Sequence, residues 1–177
     1  PRNLLVSSPT GSGKTFAIRE LVAASEQRGI GHIFVAQPLI ALAEQVYVGL
    51  GGETNPRGRL VTGPARRGEA DDADVTVCTY EVLAREALEL TEAFCRASFV
   101  VLDEIHYIAS ERGPVIHEIL EACQDKQIIA LSGTLPNVGQ FASFLASINS
   151  LPTVVTGASS RPIPLNFFYY NAKGQKC

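Results

Sequence analysis

The sequence predicts an α/β fold, a mostly parallel central sheet with helices on both faces. Three observations carry that expectation. Wholly apolar runs such as Phe99-Val100-Val101-Leu102 and Ile128-Ile129-Ala130-Leu131 read as strands covered on both sides, the habit of parallel sheets. Segments of helical period alternate with them. Polar clusters follow the strands: a glycine-rich loop after Val6, Thr62-Gly63, Thr79, Asp103-Glu104 and Ser132-Gly133-Thr134. In such sheets ligands bind beyond the carboxyl ends of the strands, so these clusters should share one edge.

Taken in order, Leu4-Leu5-Val6 is a first strand, followed by a glycine turn and a helix that runs to Arg28 and ends at Gly29, a C-cap. Gly31-His32-Ile33-Phe34-Val35-Ala36 is a buried strand. Pro38 opens the next helix, through Tyr47, because proline's missing N–H costs nothing in a first turn. Residues 49–59 are glycine-rich and polar, hence a loop. Leu60-Val61-Thr62-Gly63 is a short strand ending in a turn, and a polar stretch, 64–74, follows. Val75-Thr76-Val77-Cys78-Thr79 is a strand that leads into a helix from Tyr80. After the Phe99 strand, Val115, Ile116, Ile119, Leu120 and Cys123 mark a helix. The Ile128 strand leads to a helix around Phe141, and strands are expected at 153–155 and 165–170.

A chain of 177 residues fits one domain, 1–177, with a sizeable core. Apolar and charged contents of 46% and 19% are those of an ordinary soluble globular protein. No apolar run approaches the roughly 18 residues of a membrane span, and no signal peptide is visible. A net charge of −3 excludes a global basic field, so any nucleic-acid contact must be local. Cys78, Cys95, Cys123 and Cys177 form no C-x-x-C pair, which argues against a zinc site. Three of them sit in apolar patterns and read as reduced core thiols of an intracellular protein. The chain has no methionine and begins at Pro1, so a piece of a larger protein is expected.

The stretch Ser8-Pro9-Thr10-Gly11-Ser12-Gly13-Lys14-Thr15 has the chemistry of a phosphate-binding loop between strand and helix. Gly11 and Gly13 let the backbone curl around a polyphosphate and aim N–H groups at it, and the helix N-terminus adds its positive dipole end. Lys14 can reach the β- and γ-phosphates of a nucleotide, and the Thr15 hydroxyl can ligate Mg²⁺. Ser8 stands where the pattern has its first glycine; a small residue suffices there. Asp103 lies where a second nucleotide motif belongs and can hold Mg²⁺, while Glu104 can orient or deprotonate an attacking water. His117-Glu118 lacks a second histidine four residues on, so it is an ordinary helix face.

Thr10-Gly11-Ser12-Gly13-Lys14-Thr15, Asp103-Glu104-Ile105-His106 and Ser132-Gly133-Thr134 resemble the motifs of superfamily-two DExH-box helicases in order and spacing. Tyr107-Ile108, Glu111-Arg112-Gly113, Leu135-Pro136-Asn137 and Arg161-Pro162-Ile163-Pro164-Leu165 narrow the resemblance to superkiller-type RNA helicases, the group that feeds RNA to the exosome. It covers essentially the whole chain. It implies the first RecA-like domain of a P-loop NTPase, ATP and Mg²⁺ as cofactors, and single-stranded RNA as partner, with DNA or a non-hydrolysing scaffold as alternatives. It also implies a second RecA-like domain, an exosome-type RNA-decay complex, and a cytoplasmic or nuclear setting.

The resemblance assigns residues as well. Lys14, Asp103 and Glu104 would be catalytic, and His106, Ser132 and Thr134 would couple hydrolysis to strand movement. Gly133, where the family usually has alanine, would loosen that turn. Residues 38–42, headed by Pro38, with Thr62-Gly63 and Thr79-Tyr80-Glu81, resemble motifs that grip a nucleic-acid backbone. Ile40 replaces a basic residue common in the family and implies a weaker phosphate contact. Arg57, Arg59, Arg66 and Arg67 read either as a phosphate-binding rim or as a solvated loop. Nothing matches the arginine finger of the second domain or the adenine-reading segment, so this piece alone is expected to bind nucleotide weakly and hydrolyse it hardly at all.

Overall fold

A computed structural model describes residues 1–9, 11, 13–68, 73–133 and 135–157. Thr10, Ser12, Thr134, the Arg161-Pro162 match and the strand expected at 165–170 lie outside the described residues.

The strands are β1 (Asn3–Ser7), β2 (His32–Gln37), β3 (Gly58–Val61), β4 (Arg66–Arg67), β5 (Val75–Thr79), β6 (Ala97–Leu102), β7 (Gln127–Ser132) and β8 (Thr153–Thr156). They form one eight-stranded sheet in the order β4-β3-β5-β2-β6-β7-β1-β8. Its neighbours are parallel throughout except for the antiparallel pair β3 and β4. The helices are α1 (Lys14–Arg28), α2 (Ile40–Gly49), α3 (Tyr80–Leu88), α4 (Glu92–Arg96), α5 (Gly113–Ala122) and α6 (Val138–Asn149).

Period-2 alternation splits the strands between two cores. Ile33 and Val35 of β2 join Val75 and Val77 of β5 and Ile129 and Leu131 of β7 against α1 and α2. Phe34, Ala36, Cys78, Val100, Leu102, Ile128 and Ala130 point the other way, against α3, α5 and α6. Both faces are covered, which is why the strands read as unbroken apolar text.

The glycine stop after α1 is as expected. Gly29 takes φ 60°, and Ile30 N–H reaches the Ser25 carbonyl at 3.0 Å, closing the helix end. The start of α2 differs: Leu39 is extended (φ −131°), so Pro38 lies outside the helix, in the bend leaving β2. Two short elements carry no periodic signal, β4 and α4. Only the Thr91 N-cap announces α4, its hydroxyl accepting from Phe94 N–H at 3.3 Å. Cys78 and Cys123 are buried, and burial pushes both thiols up, Cys123 to about 12, so they stay protonated and inert. Cys95 is exposed, on the solvent side of α4, and is not a core thiol.

A 3₁₀ turn, Ile105–Ala109, follows β6 and runs into α5. A Cβ on Gly113 would stand 2.5 Å from the Ile108 carbonyl oxygen, so only glycine lets α5 begin so close to that turn. Gly113→Ala is expected to cost about 1–3 kcal/mol by overpacking, read as a lower midpoint in urea unfolding. An unchanged midpoint would mean that the turn yields freely.

Candidate functional site

The nucleotide-type motifs converge at the carboxyl edge of the sheet. The loop after β1 turns through Gly11 and Gly13, at φ 82° and 93°, values that glycine adopts without the strain of a Cβ. Ser8 is buried, and its N–H donates to the Ser132 carbonyl at 2.9 Å, tying the start of the loop to the end of β7. Lys14 Nζ lies back on the loop and donates to the Ser8 carbonyl at 3.1 Å. A cavity of about 410 Å³ opens beside it, lined by Gly11, Gly13, Lys14, Thr15, Asp103 and Glu104 among others.

Asp103 is 7% exposed at the end of β6. Gln37 Nε2 donates to its Oδ2 at 2.9 Å, and the Glu104 N–H donates to its Oδ1 at 2.9 Å. Burial raises the Asp103 carboxyl above the ordinary carboxylate value, and the Gln37 amide offsets part of that rise. The Lys14 ammonium offsets a smaller part. The Thr15 hydroxyl on the same cavity supplies a second hard oxygen, so the donor set fits Mg²⁺ held by few protein ligands and completed by phosphate and water. Among the described residues no group of three or more His, Cys, Asp and Glu could form an all-protein metal cage.

Glu104 sits in the left-handed region, φ 53°, ψ 45°, unusual for a residue with a side chain. That turn sends its carboxylate toward His106, whose Nδ1 is 3.2 Å from Glu104 Oε2 and 3.4 Å from Ser132 Oγ. An ionised carboxylate only accepts, so the proton of this bond belongs on His106 Nδ1. Of the described residues of the expected coupling set, His106 therefore meets the carboxylate, and Ser132 touches His106.

A second cavity of about 650 Å³ runs along the same edge, lined by Pro38, Ile40, Gly63, Thr79, Arg85 and Arg112, among others. Three of the four backbone-gripping residues expected from the sequence line it. Thr62 does not; it is buried, and its hydroxyl accepts from Ala65 N–H at 3.2 Å, shaping the turn that presents Gly63. Tyr80 also faces inward, its hydroxyl donating to the Asp103 carbonyl. The four arginines form no common rim. Arg57 pairs with Asp74 at 2.8 Å, and Arg67 lies 3.8 Å from Glu44. Arg59 is buried between Thr76 and Glu86, and it shares with Arg66 a hollow that Glu86, Glu89 and Glu92 also line. His117 packs edge-on against Phe144, an ordinary helix face.

Sequence reasoning missed Gln37 and Arg85. Gln37 is a polar residue closing an otherwise apolar strand at the ligand edge, and that is a readable signal. Arg85 stands four residues after Glu81, on one helix face with it.

Comparison with known proteins matches residues 1–141 to the DEAD/DEAH box helicase family. The chain is 30% identical over 176 residues to the ATP-dependent DNA helicase Hel308 of Aeropyrum pernix, covering 95% of this chain and 23% of that protein. It is 33% identical over 170 residues to the ATP-dependent RNA helicase mtr4 of Schizosaccharomyces pombe, covering 95% of this chain and 15% of that one. Among solved structures, a DEAD box protein from the hyperthermophile Methanococcus jannaschii superposes with a TM-score of 0.70 at 22% identity, over 90% of this chain and 46% of that chain. At that identity the likeness shows the fold alone, RecA-like. The chain thus spans less than a quarter of the length of either curated relative.

Proposed function

The chain belongs to the DEAD/DEAH box helicases, and from that premise we propose that it is the first RecA-like, ATP-binding domain of a superkiller-type RNA helicase. One observation carries the reading. A nucleotide cavity and a groove with two arginines lie side by side on one sheet edge, joined by the strand ends that bear Gln37 and Thr79. Lys14 leaves the Ser8 carbonyl to neutralise the β- and γ-phosphates of ATP. Thr15 and Asp103 hold Mg²⁺, which supplies charge stabilisation on the transferring phosphoryl group. Glu104 accepts the proton of the attacking water. Pro38, Gly63 and Thr79 offer backbone and small hydroxyls to a sugar-phosphate chain, and Arg85 and Arg112 offer charge. A second RecA-like domain, an RNA-decay complex as partner and a cytoplasmic or nuclear setting belong to the same proposal. Among the described residues no helix is long and apolar enough to cross a membrane.

The likeness to a DNA helicase supports a second reading, DNA as the strand, because contacts to backbone alone do not distinguish the sugars. The test is ATPase activity of the full-length protein with single-stranded RNA or DNA of one sequence. Greater stimulation by RNA is expected. Equal or greater stimulation by DNA selects the second reading, and ATP binding without hydrolysis under either condition leaves a scaffold.

A further inference from the structure

Arg112 occupies one wall of the groove and is also the end of an unbroken chain of side chains leading to Glu104. Its Nε donates to Glu81 Oε1 at 3.2 Å, and both residues line the groove. Its guanidinium lies 5.9 Å from the centre of the Tyr107 ring. The Tyr107 ring packs against the His106 imidazole, centroids 4.9 Å apart and planes tilted by 38°. His106 Nδ1 holds the Glu104 carboxylate at 3.2 Å.

The backbone beneath is firmly tied. Tyr107 N–H reaches the Glu104 carbonyl at 3.0 Å, and Gly113 N–H the Ser110 carbonyl at 2.9 Å. The Ser110 hydroxyl donates to the Tyr107 carbonyl at 2.6 Å and accepts from Arg112 N–H at 3.2 Å. The glycine at 113 presses this turn against α5. Movement of the Arg112 side chain is therefore transmitted through rings rather than lost in a slack loop.

The resting arrangement keeps the base engaged: a carboxylate accepting from His106 offers one fewer lone pair to water. The Arg112–Glu81 pair, with side chains 30% and 51% exposed, is of the weak, screened kind. A phosphodiester is a fresh acceptor for the planar guanidinium and can take it in a bidentate bond. Capture of a phosphate would draw Arg112 away from Glu81 and off the ring face.

We propose that Tyr107 is a positioning residue, its ring passing the capture of a strand phosphate by Arg112 to the His106–Glu104 pair and freeing Glu104 for water. The proposal rests on the reading of the groove as a nucleic-acid interface. Each of the two sites exchanges one contact between states: Arg112 leaves Glu81 for a phosphate, and Glu104 leaves His106 for water.

The test uses the full-length protein and a saturating single-stranded oligouridylate. Readouts are kcat and KM for ATP with and without the strand, and strand affinity by fluorescence anisotropy. Tyr107→Leu, which removes the ring, is expected to lower the stimulation factor about tenfold, within the range of ordinary coupling. Its strand affinity should stay within about threefold, so that kcat moves and binding does not. Tyr107→Phe keeps the ring and should restore stimulation to within about twofold of the native protein, an outcome generic damage would not give. Arg112→Gln should lose stimulation, and adding Tyr107→Leu to it should lower the factor no further, because the two act in series. Full stimulation in Tyr107→Leu, equal loss in Tyr107→Phe, or additive losses in the pair would overturn the proposal. Failure of the underlying reading looks different: the native protein itself would show no stimulation by RNA or DNA.

Discussion

Glu104→Gln in the full-length protein is expected to slow ATP hydrolysis by about 10²–10⁴-fold, the scale of a lost general base, while ATP binding stays near the native level. The amide keeps the shape of the carboxylate and can still accept from His106 Nδ1–H through its carbonyl oxygen, so the left-handed turn at Glu104 has no reason to relax. What it loses is the capacity to take a proton from water. Steady-state ATPase rates beside equilibrium binding of a labelled ATP analogue separate the two effects. Retention of hydrolysis within a few-fold would remove Glu104 from the role of base; loss of binding as well would make its part structural.

Much of this organisation was legible in the sequence, because parallel strands buried on both faces leave unbroken apolar text and short polar words mark their ends. Val75–Thr79 was read to the residue, and the Gly29 stop appears with the left-handed φ that glycine tolerates best. What escaped has physical causes. The five residues of α4 are too few for a helical period to show, and the two of β4 too few for alternation. Tyr80 and Thr62 stand within motif text, yet their neighbours do the outward-facing work while they hold the strand ends from behind. Arg59 looked like a loop cation because charge is read as exposure. A partner with no sequence proximity, Glu86, lets it stay buried. Tertiary pairing of this kind has no one-dimensional trace.

Asp103→Asn should separate activity from stability in opposite directions. Its expected effect on hydrolysis is a loss of about 10²-fold or more, the scale of removing one preorganised charge-stabilising group, because the neutral amide is a poor ligand for Mg²⁺. Folding should respond otherwise. Burial holds the native Asp103 carboxyl above its ordinary value, so between that ordinary value, about 3.9, and the raised native one the folded protein binds more protons than the unfolded chain. Stability without cation or nucleotide therefore falls as pH rises through that window, and at neutral pH the buried charge is a standing penalty. Asparagine removes the charge and keeps both hydrogen bonds: its carbonyl oxygen accepts from Glu104 N–H, and a flipped Gln37 amide accepts from its Nδ2. At pH 7 the cation-free variant should melt above the native protein, and the difference should shrink as pH falls toward about 4. Saturating Mg²⁺ and ATP should reverse the order, since only the native site gains from binding both. Thermal melts at several pH values, with and without Mg²⁺ and ATP, give the comparison. A variant that melts lower than native at pH 7, by a margin that does not change with pH, would mean that the hydrogen-bond geometry at Asp103, and not its buried charge, decides the stability of this corner. Its carboxylate would then need no cation to be tolerated, and the physical case for Mg²⁺ at Asp103 would fail with it.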